Sequence, residues 1–162
     1  IDILRRTGVE VVAAGLSGTL VKCSRGIRIM ADSSLDDALT QSFDMIVLPG
    51  GMPGAEHLKN DKRILDLLRS MERAGKYVTA ICAAPIALHA AGLLENRKAT
   101  SFPGFLDKLP GSHSYSAAAV VIDGNIITSR GPGTAMDFAL ALAELLCGVE
   151  QRNRVEAGLQ RP

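Results

Sequence analysis

The sequence predicts an α/β sandwich built around a mostly parallel central sheet. Apolar, strand-like runs alternate along the chain with amphipathic, helix-like runs, which is the pattern of a sheet covered by helices. Two of the strand-like runs end in the turn sequences "LPGG" and "AICAAP". In parallel sheets ligands bind beyond such strand ends, so we expect the two turns to share one pocket.

The first half of the chain predicts a helix at each end of a group of short strands. Residues 1–7 are helix-like, and a second short helix is expected within 32–41, with Ser33 or Ser34 as its N-cap. The run 43–51 is continuously apolar and closes with Pro-Gly-Gly, which predicts a strand buried on both faces. The remaining predicted strands span residues 9–16, 20–24 and 26–30.

The second half of the chain predicts longer helices. Residues 52–60 have the composition of a loop, after which Asp61 caps a helix that runs to about Ala74. Thr134 and Asp137 occupy capping-box positions at the start of another helix. The other predicted elements are a strand over 77–81, a helix over 83–91, a strand over 98–102, an irregular segment over 103–116, a hairpin over 117–131 and a final polar helix over 149–159.

Cys82 lies at the joint between a strand-like run and a helix-like run. The residues before it are β-formers, and those after it are mostly alanine and leucine, which favour a helix. Pro85 falls in the first helical turn, where its missing N–H carries no penalty. Core packing gives no particular reason for a cysteine at this joint, whereas a nucleophile on a sharp strand-to-helix turn does.

The predicted position of Cys82 suits nucleophilic chemistry. Thiolate is the reactive form of cysteine, and a helix N-terminus stabilises it. We expect unpaired N–H groups of Ala83 and Ala84, together with those of Gly50 and Gly51, to hold an oxyanion. The alternative is a buried, inert cysteine, which is common because free cysteine is among the most buried residue types.

Composition and charge exclude several classes of protein. The chain has 162 residues and a formal net charge of +1, so it carries no basic excess of the kind that binds nucleic acid. No apolar run reaches the roughly 20 residues that a membrane helix needs. The three cysteines match neither a zinc motif nor a disulfide framework, so we expect a reducing, cytoplasmic location and no metal or other cofactor.

Three short motifs resemble the ThiJ/PfpI superfamily, and within it the group of the parkinsonism-associated deglycase. They are "VLPGG", "AICAAP" and "TSRGPGT", in that order and spacing. The resemblance extends over nearly the whole chain through "RRTGVEVVAAGL", "KCSRGIRIMADSSLDD" and "DGNIITSRGPGTAMDFALALAELL". It implies a flavodoxin-like three-layer sandwich, a homodimer, and Cys82 as the reactive, oxidisable residue.

The resemblance also implies roles for residues around the cysteine. The family's pocket backbone and the loop that borders the cysteine correspond to Gly50, Gly51, Ala83, Gly131 and Pro132. Basic residues that the family places near the pocket and the dimer interface correspond to Arg25 and Arg6. His113 falls where relatives carry a histidine, although "SHSY" is a looser match than the other motifs.

The chain departs from the family pattern at three places. The acidic residue that relatives carry on their first strand–helix connection would precede Ile1, so we expect residues 1–162 to be one domain that lacks its first strand and this acidic turn. Phe102 stands where some relatives have histidine, which excludes a Cys–His dyad through that position. Ala83 stands where the protease-like branch has histidine, so a peptidase would lack its general base.

The remaining cysteines and histidines have less specific surroundings. Cys23 and Cys147 lie on apolar-leaning elements and are predicted to be structural, with a minor redox role left open for Cys23. His57 is predicted to be solvated, and His89 to be a packed or surface residue. His113 is therefore the only histidine that we regard as a candidate base.

Two functions fit these residues. The leading hypothesis is a cysteine-dependent glyoxalase or deglycase that acts on methylglyoxal-type dicarbonyls or on glycated protein, and so protects against carbonyl and oxidative stress. The alternative is a non-catalytic oxidative-stress sensor or holding chaperone, which acts through oxidation of Cys82. An intracellular peptidase or amidase is a weaker third hypothesis.

Overall fold

The computed structural model describes residues 1–161, and its regular elements alternate as the sequence predicts. The helices are α1 (Asp2–Arg6), α2 (Leu35–Ala38), α3 (Gly54–Asn60), α4 (Lys62–Arg73), α5 (Pro85–Ala90), α6 (Ala135–Cys147) and α7 (Val149–Gly158). The strands are β1 (Ala14–Gly15), β2 (Leu20–Lys22), β3 (Arg28–Met30), β4 (Ser33–Ser34), β5 (Met45–Leu48), β6 (Tyr77–Ile81), β7 (Lys98–Ala99), β8 (Ser114–Tyr115), β9 (Val120–Asp123) and β10 (Ile126–Ser129). Two 3-10 turns span Leu106–Lys108 and Pro132–Thr134.

The central sheet has four strands in the order β5-β6-β10-β9. β5, β6 and β10 run parallel, and β9 pairs antiparallel to β10 through the predicted hairpin. Val78 of β6 is level with Ile46 on one side and Ile126 on the other, so the three parallel strands end at one edge of the sheet. The predicted fold class, a flavodoxin-like α/β sandwich with a mostly parallel sheet, is confirmed.

Helices cover both faces of this sheet. Ile126 belongs to the core that α3, α4 and α5 complete, and its neighbour Ile127 belongs to the smaller core that α1 and α6 complete. Because successive side chains of a strand point to opposite faces, this alternation separates the two cores. Leu68 of α4 and Leu142 of α6 are each almost fully buried, one in each core.

Two predictions around the end of β5 are wrong. The run 43–51 is not buried on both faces, because β5 is an edge strand among the described residues and its Val47 is 39% exposed. Residues 52–60 are not a loop, since most of them form α3. Their Pro and Gly residues signal a turn, but burial of the completely inaccessible Ala55 against the core favours a helix at this place.

Two other elements differ from their predictions. Of residues 9–16, only Ala14–Gly15 forms a strand, because the preceding segment finds no ladder partner among residues 1–161 and Ala13 bonds instead to Asp32. The predicted capping box of α6 is absent, since Thr134 gives no side-chain cap and Asp137 pairs with Arg161. The shorter helix α2 does have its predicted cap, and Ser34 is the residue that provides it.

Asp61 caps α4 as predicted, and its carboxylate makes a close ion pair. It accepts the backbone N–H of Arg63 at 2.9 Å, and its second oxygen lies 2.6 Å from the Arg63 guanidinium. The guanidinium hydrogen bond holds the pKa of Asp61 below its ordinary value of 3.8. The pKa of Asp61 is thus lower in the folded protein than in the unfolded chain. The ionised carboxylate therefore contributes its full stabilisation above the pKa of the unfolded chain, and this contribution is lost as the pH falls through the pKa of the folded protein.

We therefore predict a pH-dependent effect of Asp61→Asn, which keeps a capping oxygen but cannot ionise. The wild type should be more stable than the variant near neutral pH, by about 1 kcal/mol, and this difference should begin to shrink below about pH 4 and continue to shrink as the pH falls. Urea unfolding of both proteins across this pH range measures the difference. A difference that stays constant with pH would show that ionisation of Asp61 does not contribute.

No helix within residues 1–161 combines the length and the apolar character that crossing a membrane requires.

Candidate functional site

Cys82 occupies a tight turn between β6 and α5. Its backbone has a positive φ of 64°, a region that few residues other than glycine adopt. Its N–H donates to the Ser129 carbonyl at 2.8 Å, and its carbonyl accepts from the Phe102 N–H at 2.8 Å. Both backbone groups of the cysteine are thus fixed by neighbouring strands and loops, which hold the unusual conformation in place.

The local sequence explains why the chain turns at this cysteine. Val78 and Ala80 of β6 are completely buried, and so is Ala84 directly after the turn. Pro85 takes the first position of α5, where its ring favours helical φ and its missing N–H is not needed. Small, buried residues on both sides let the strand and the helix approach closely. Cys82 itself is partly exposed at their junction.

Gly50 packs directly against the cysteine. A Cβ atom added to Gly50 would lie 2.6 Å from the Cβ of Cys82 and 3.3 Å from its Sγ. The same atom would lie 2.9 Å from the Ile81 carbonyl oxygen, so no side chain fits at this position. The end of β5 therefore brings bare backbone next to the thiol, and the two predicted turns do meet at one place.

Three backbone N–H groups around this junction are free to bind a ligand. Those of Gly50, Gly51 and Ala83 donate to no acceptor within residues 1–161. The expectation that Ala84 also has a free N–H is wrong, because this group donates to the Ile81 carbonyl at 3.1 Å. The chain reverses so tightly at Cys82 that an i to i+3 hydrogen bond closes across it.

The loop after β10 packs against Phe102, the residue that binds the Cys82 carbonyl. A Cβ on Gly131 would lie 3.3 Å from the Phe102 ring, so the absence of a side chain at Gly131 lets this ring pack closely. The Phe102 N–H is the group that donates to the Cys82 carbonyl. Gly131 and Pro132 line a cavity of about 400 Å³ together with Phe102. Cys82 does not itself line this cavity.

A buried hydroxyl pair holds the Gly131 loop in place. Thr134 Oγ1 accepts from the Gly131 N–H at 3.1 Å, donates to the Gly131 carbonyl at 2.9 Å and lies 2.8 Å from the Ser129 hydroxyl. Ser129 is the residue whose carbonyl fixes the Cys82 N–H. The position of the loop and that of the cysteine are therefore linked through the end of β10.

Thr134→Val should destabilise the protein by about 1–3 kcal/mol, because it leaves the buried Gly131 N–H without an acceptor. Thr40→Val is the matched control, since the Thr40 hydroxyl also donates to a backbone carbonyl but is exposed. Its cost should stay below about 0.5 kcal/mol. Urea unfolding measures both, and equal costs would contradict the structural role of Thr134.

The candidate histidine contacts its own loop and helix α5. His113 Nε2 is 2.9 Å from the Leu106 carbonyl, and its ring packs edge-on against His89 at 5.5 Å. His89 in turn binds the Pro110 carbonyl at 2.8 Å. These contacts do not join His113 to Cys82, and its catalytic role stays a prediction. His57 lies on α3 and is exposed.

The two candidate arginines lie on the surface. Arg6 pairs with Asp2 at 2.9 Å on α1, and Arg25 is exposed in the turn of the β2–β3 hairpin. Their predicted roles at the pocket and the interface stay predictions.

The other two cysteines differ in burial. Cys23 is partly buried, whereas Cys147 is exposed at the end of α6. Cys147, which is predicted to be structural, is therefore not a buried packing residue.

Residues distant in sequence complete the site, and their residue types do not indicate these roles. The Ser24 hydroxyl lies 2.9 Å from a Cβ placed on Gly51, which itself has a positive φ of 93°. Ser129 and Phe102 act through backbone groups. Backbone bonds leave no trace in residue type, and a serine in a turn is too common to indicate a site.

The fold and the site define an α/β protein with a cysteine on a strand-to-helix turn, faced by the bare backbone of a neighbouring strand end. The chain belongs to the DJ-1/PfpI family, which matches residues 1–145. The resemblance drawn from the sequence motifs is thereby confirmed.

Relatives from several animals match nearly the full chain. It is 46% identical to protein dj-1beta of Drosophila melanogaster, over 98% of this chain and 86% of that protein. It is 40% identical to glutathione-independent glyoxalase DJR-1.2 of Caenorhabditis elegans, over 94% of this chain and 81% of that protein. The crystal structure of Drosophila DJ-1beta superposes with a TM-score of 0.95 at 45% identity, covering 99% of this chain and 88% of the other.

Proposed function

We propose that this protein is a cysteine-dependent glyoxalase and deglycase, which removes methylglyoxal-type dicarbonyls and their protein adducts and so protects against carbonyl and oxidative stress. The observation that carries the proposal is the junction at Cys82, where a thiol on a fixed turn adjoins the free N–H groups of Gly50 and Ala83. The relative from Caenorhabditis elegans that is named a glutathione-independent glyoxalase supports the same reaction class.

The reaction begins with addition of the Cys82 thiolate to the aldehyde carbon of methylglyoxal. A C–S bond forms, and the carbonyl electron pair moves onto oxygen, where the free N–H groups stabilise the charge until protonation gives a hemithioacetal. A proton then leaves the former aldehyde carbon and another is added at the ketone carbon, through an enediol. Water cleaves the resulting thioester, which releases lactate and restores the thiol. One carbon is oxidised and its neighbour reduced, so no external oxidant is required.

Protons move in this scheme through His113. Its Nε2 is held by the Leu106 carbonyl, so Nδ1 is the ring atom left for transfer. His113→Gln tests this assignment by its effect on turnover and on the pH profile.

The direct test is lactate formation from methylglyoxal in the absence of glutathione. The wild type should turn over, and Cys82→Ser should fall to the background of buffer alone. Cys147→Ser is the matched control and should keep wild-type activity, since Cys147 is exposed at the end of α6. Equal rates for wild type and Cys82→Ser would overturn the proposal.

A redox-sensing role for Cys82 is the second candidate. The thiol is partly exposed, and the free N–H groups beside it would bind the oxygens of an oxidised sulfur. Peroxide would convert the thiolate to sulfenate and water, and a second equivalent would give sulfinate. A selective two-oxygen adduct on Cys82 after mild peroxide treatment, with negligible turnover of methylglyoxal, would favour sensing over catalysis.

Peptidase activity ranks lower, because Ala83 and Phe102 occupy the positions of the histidines it would use.

We further propose that the protein is a homodimer in which apolar side chains of the β2–β3 hairpin contact the second copy. Leu20, Ile27 and Met30 are 63%, 65% and 69% exposed, a concentration of apolar surface that a second copy would cover. Leu20→Glu should shift the molar mass measured by light scattering from dimer to monomer. Ile122→Glu, at an exposed apolar residue on β9, is the control and should stay dimeric. A monomeric wild type would contradict the proposal.

A further inference from the structure

The tip of the β2–β3 hairpin lies against the glycine pair at the site. The tip is closed by two backbone hydrogen bonds, from the Cys23 N–H to Ile27 at 2.8 Å and from the Gly26 N–H to Cys23 at 2.9 Å. Ser24 lies inside this turn, and its hydroxyl is 2.9 Å from a Cβ placed on Gly51. A side chain on residue 51 would therefore occupy the space that the Ser24 hydroxyl faces.

The Ser24 hydroxyl is available to a ligand. It makes no hydrogen bond within residues 1–161, and the residue is exposed. The Ser24 hydroxyl lies beside the Cβ position of Gly51, and the N–H of Gly51 is also without an acceptor in that range. Two unpaired donors are thus found at or beside Gly51, one residue along the chain from the Gly50 that contacts Cys82.

The glycine pair connects the surroundings of the thiol to those of the Ser24 hydroxyl. Gly50 adjoins Cys82 and Gly51 adjoins Ser24, so the two groups flank consecutive residues, whose Cα atoms are about 3.8 Å apart. A 1,2-dicarbonyl carries its two oxygens on adjacent carbons. If the substrate lies along the glycine pair when the thiolate adds to one carbonyl, its other carbonyl points toward the hairpin tip.

We propose that Ser24 binds the substrate and determines its specificity, by donating a hydrogen bond to the carbonyl oxygen that Cys82 does not attack. The inference rests on the proposed glyoxalase function and names the substrate class of that site. The hydrogen bond favours dicarbonyls over simple aldehydes, because a simple aldehyde has no second oxygen to accept it. It also stabilises the negative charge that develops on this oxygen when the enediol forms.

The test compares Ser24→Val with Ser24→Thr, which have nearly the same shape but differ in the hydroxyl. Ser24→Val should lower kcat/KM for methylglyoxal about tenfold, the effect of one lost hydrogen bond, whereas Ser24→Thr should stay within about threefold of the wild type. Propionaldehyde, a simple aldehyde that can add to the thiol, serves as a competitive inhibitor. Its inhibition constant should be the same in all three proteins, since it does not use Ser24.

Each result supports or overturns the role of Ser24. A Ser24→Val variant with unchanged kcat/KM would overturn it while leaving the glyoxalase function intact. A variant that loses methylglyoxal turnover and propionaldehyde binding to the same degree would also overturn it, because the effect would then be a general disturbance of the site. Absence of methylglyoxal turnover in the wild type would instead overturn the glyoxalase function, and the Ser24 role with it.

Discussion

Gly50→Ala is expected to lower kcat/KM for methylglyoxal by at least about 100-fold and to destabilise the fold by about 1–3 kcal/mol. The added methyl group would lie 2.6 Å from the Cβ of Cys82 and 2.9 Å from the Ile81 carbonyl oxygen. Neither is the end of a flexible side chain, so the turn itself must move. A displacement of even about 1 Å at a nucleophile is enough for a loss of this size.

Gly54→Ala provides the control for this substitution. A Cβ on Gly54 would meet nothing within 4 Å, and the residue begins α3, so alanine should be neutral or slightly stabilising there. Both variants are compared by steady-state kinetics and by urea unfolding. Wild-type activity in Gly50→Ala would show that the close packing of the strand end on Cys82 is not needed for the reaction.

The second large effect is expected at Cys82 itself, where activity and stability should separate. Cys82→Ala and Cys82→Gly should both lose turnover by at least about 1,000-fold, because neither retains a nucleophile. Cys82→Gly should nevertheless be the more stable of the two, by about 1 kcal/mol. The positive φ of 64° strains alanine but not glycine, and this gain exceeds the entropy that glycine loses on folding.

The sign of this stability difference can be checked against a neighbouring position. Ala84 has an ordinary helical φ of −64°, so Ala84→Gly should destabilise the protein. At position 82, by contrast, glycine should give a more stable protein than alanine. Urea unfolding of the four proteins gives both differences. If Cys82→Ala proved more stable than Cys82→Gly, the turn would not be strained, and the positive φ would have no part in the function.

The sequence predicts local features of this site well because they depend on neighbouring residues. The β-formers before Cys82, the alanines after it and Pro85 specify a strand-to-helix turn without reference to the rest of the chain. Asp61 and Ser34 are recognisable as N-caps for the same reason. The alternation of strands and helices likewise leads to the α/β class, because each pattern has its own period.

Features that depend on distant contacts could not be predicted in this way. The Ala84 N–H is paired because of the tightness of the turn, which no residue type encodes. Burial of Ala55 converts a segment with loop-like composition into α3. Ser24 reaches the glycine pair only because the hairpin folds over the end of β5, and its residue type is common in turns without any function.

The relative reactivity of the cysteines in one molecule tests most directly whether the junction activates Cys82. The native protein is treated with iodoacetamide at neutral pH, and each cysteine peptide is followed by mass spectrometry, with the urea-unfolded chain as reference. Cys82 should react at least about tenfold faster than Cys147 in the native protein, although Cys147 is the more exposed, and the two should react alike once unfolded. If Cys147 reacts as fast as Cys82 or faster in the native protein, the turn does not activate the thiol.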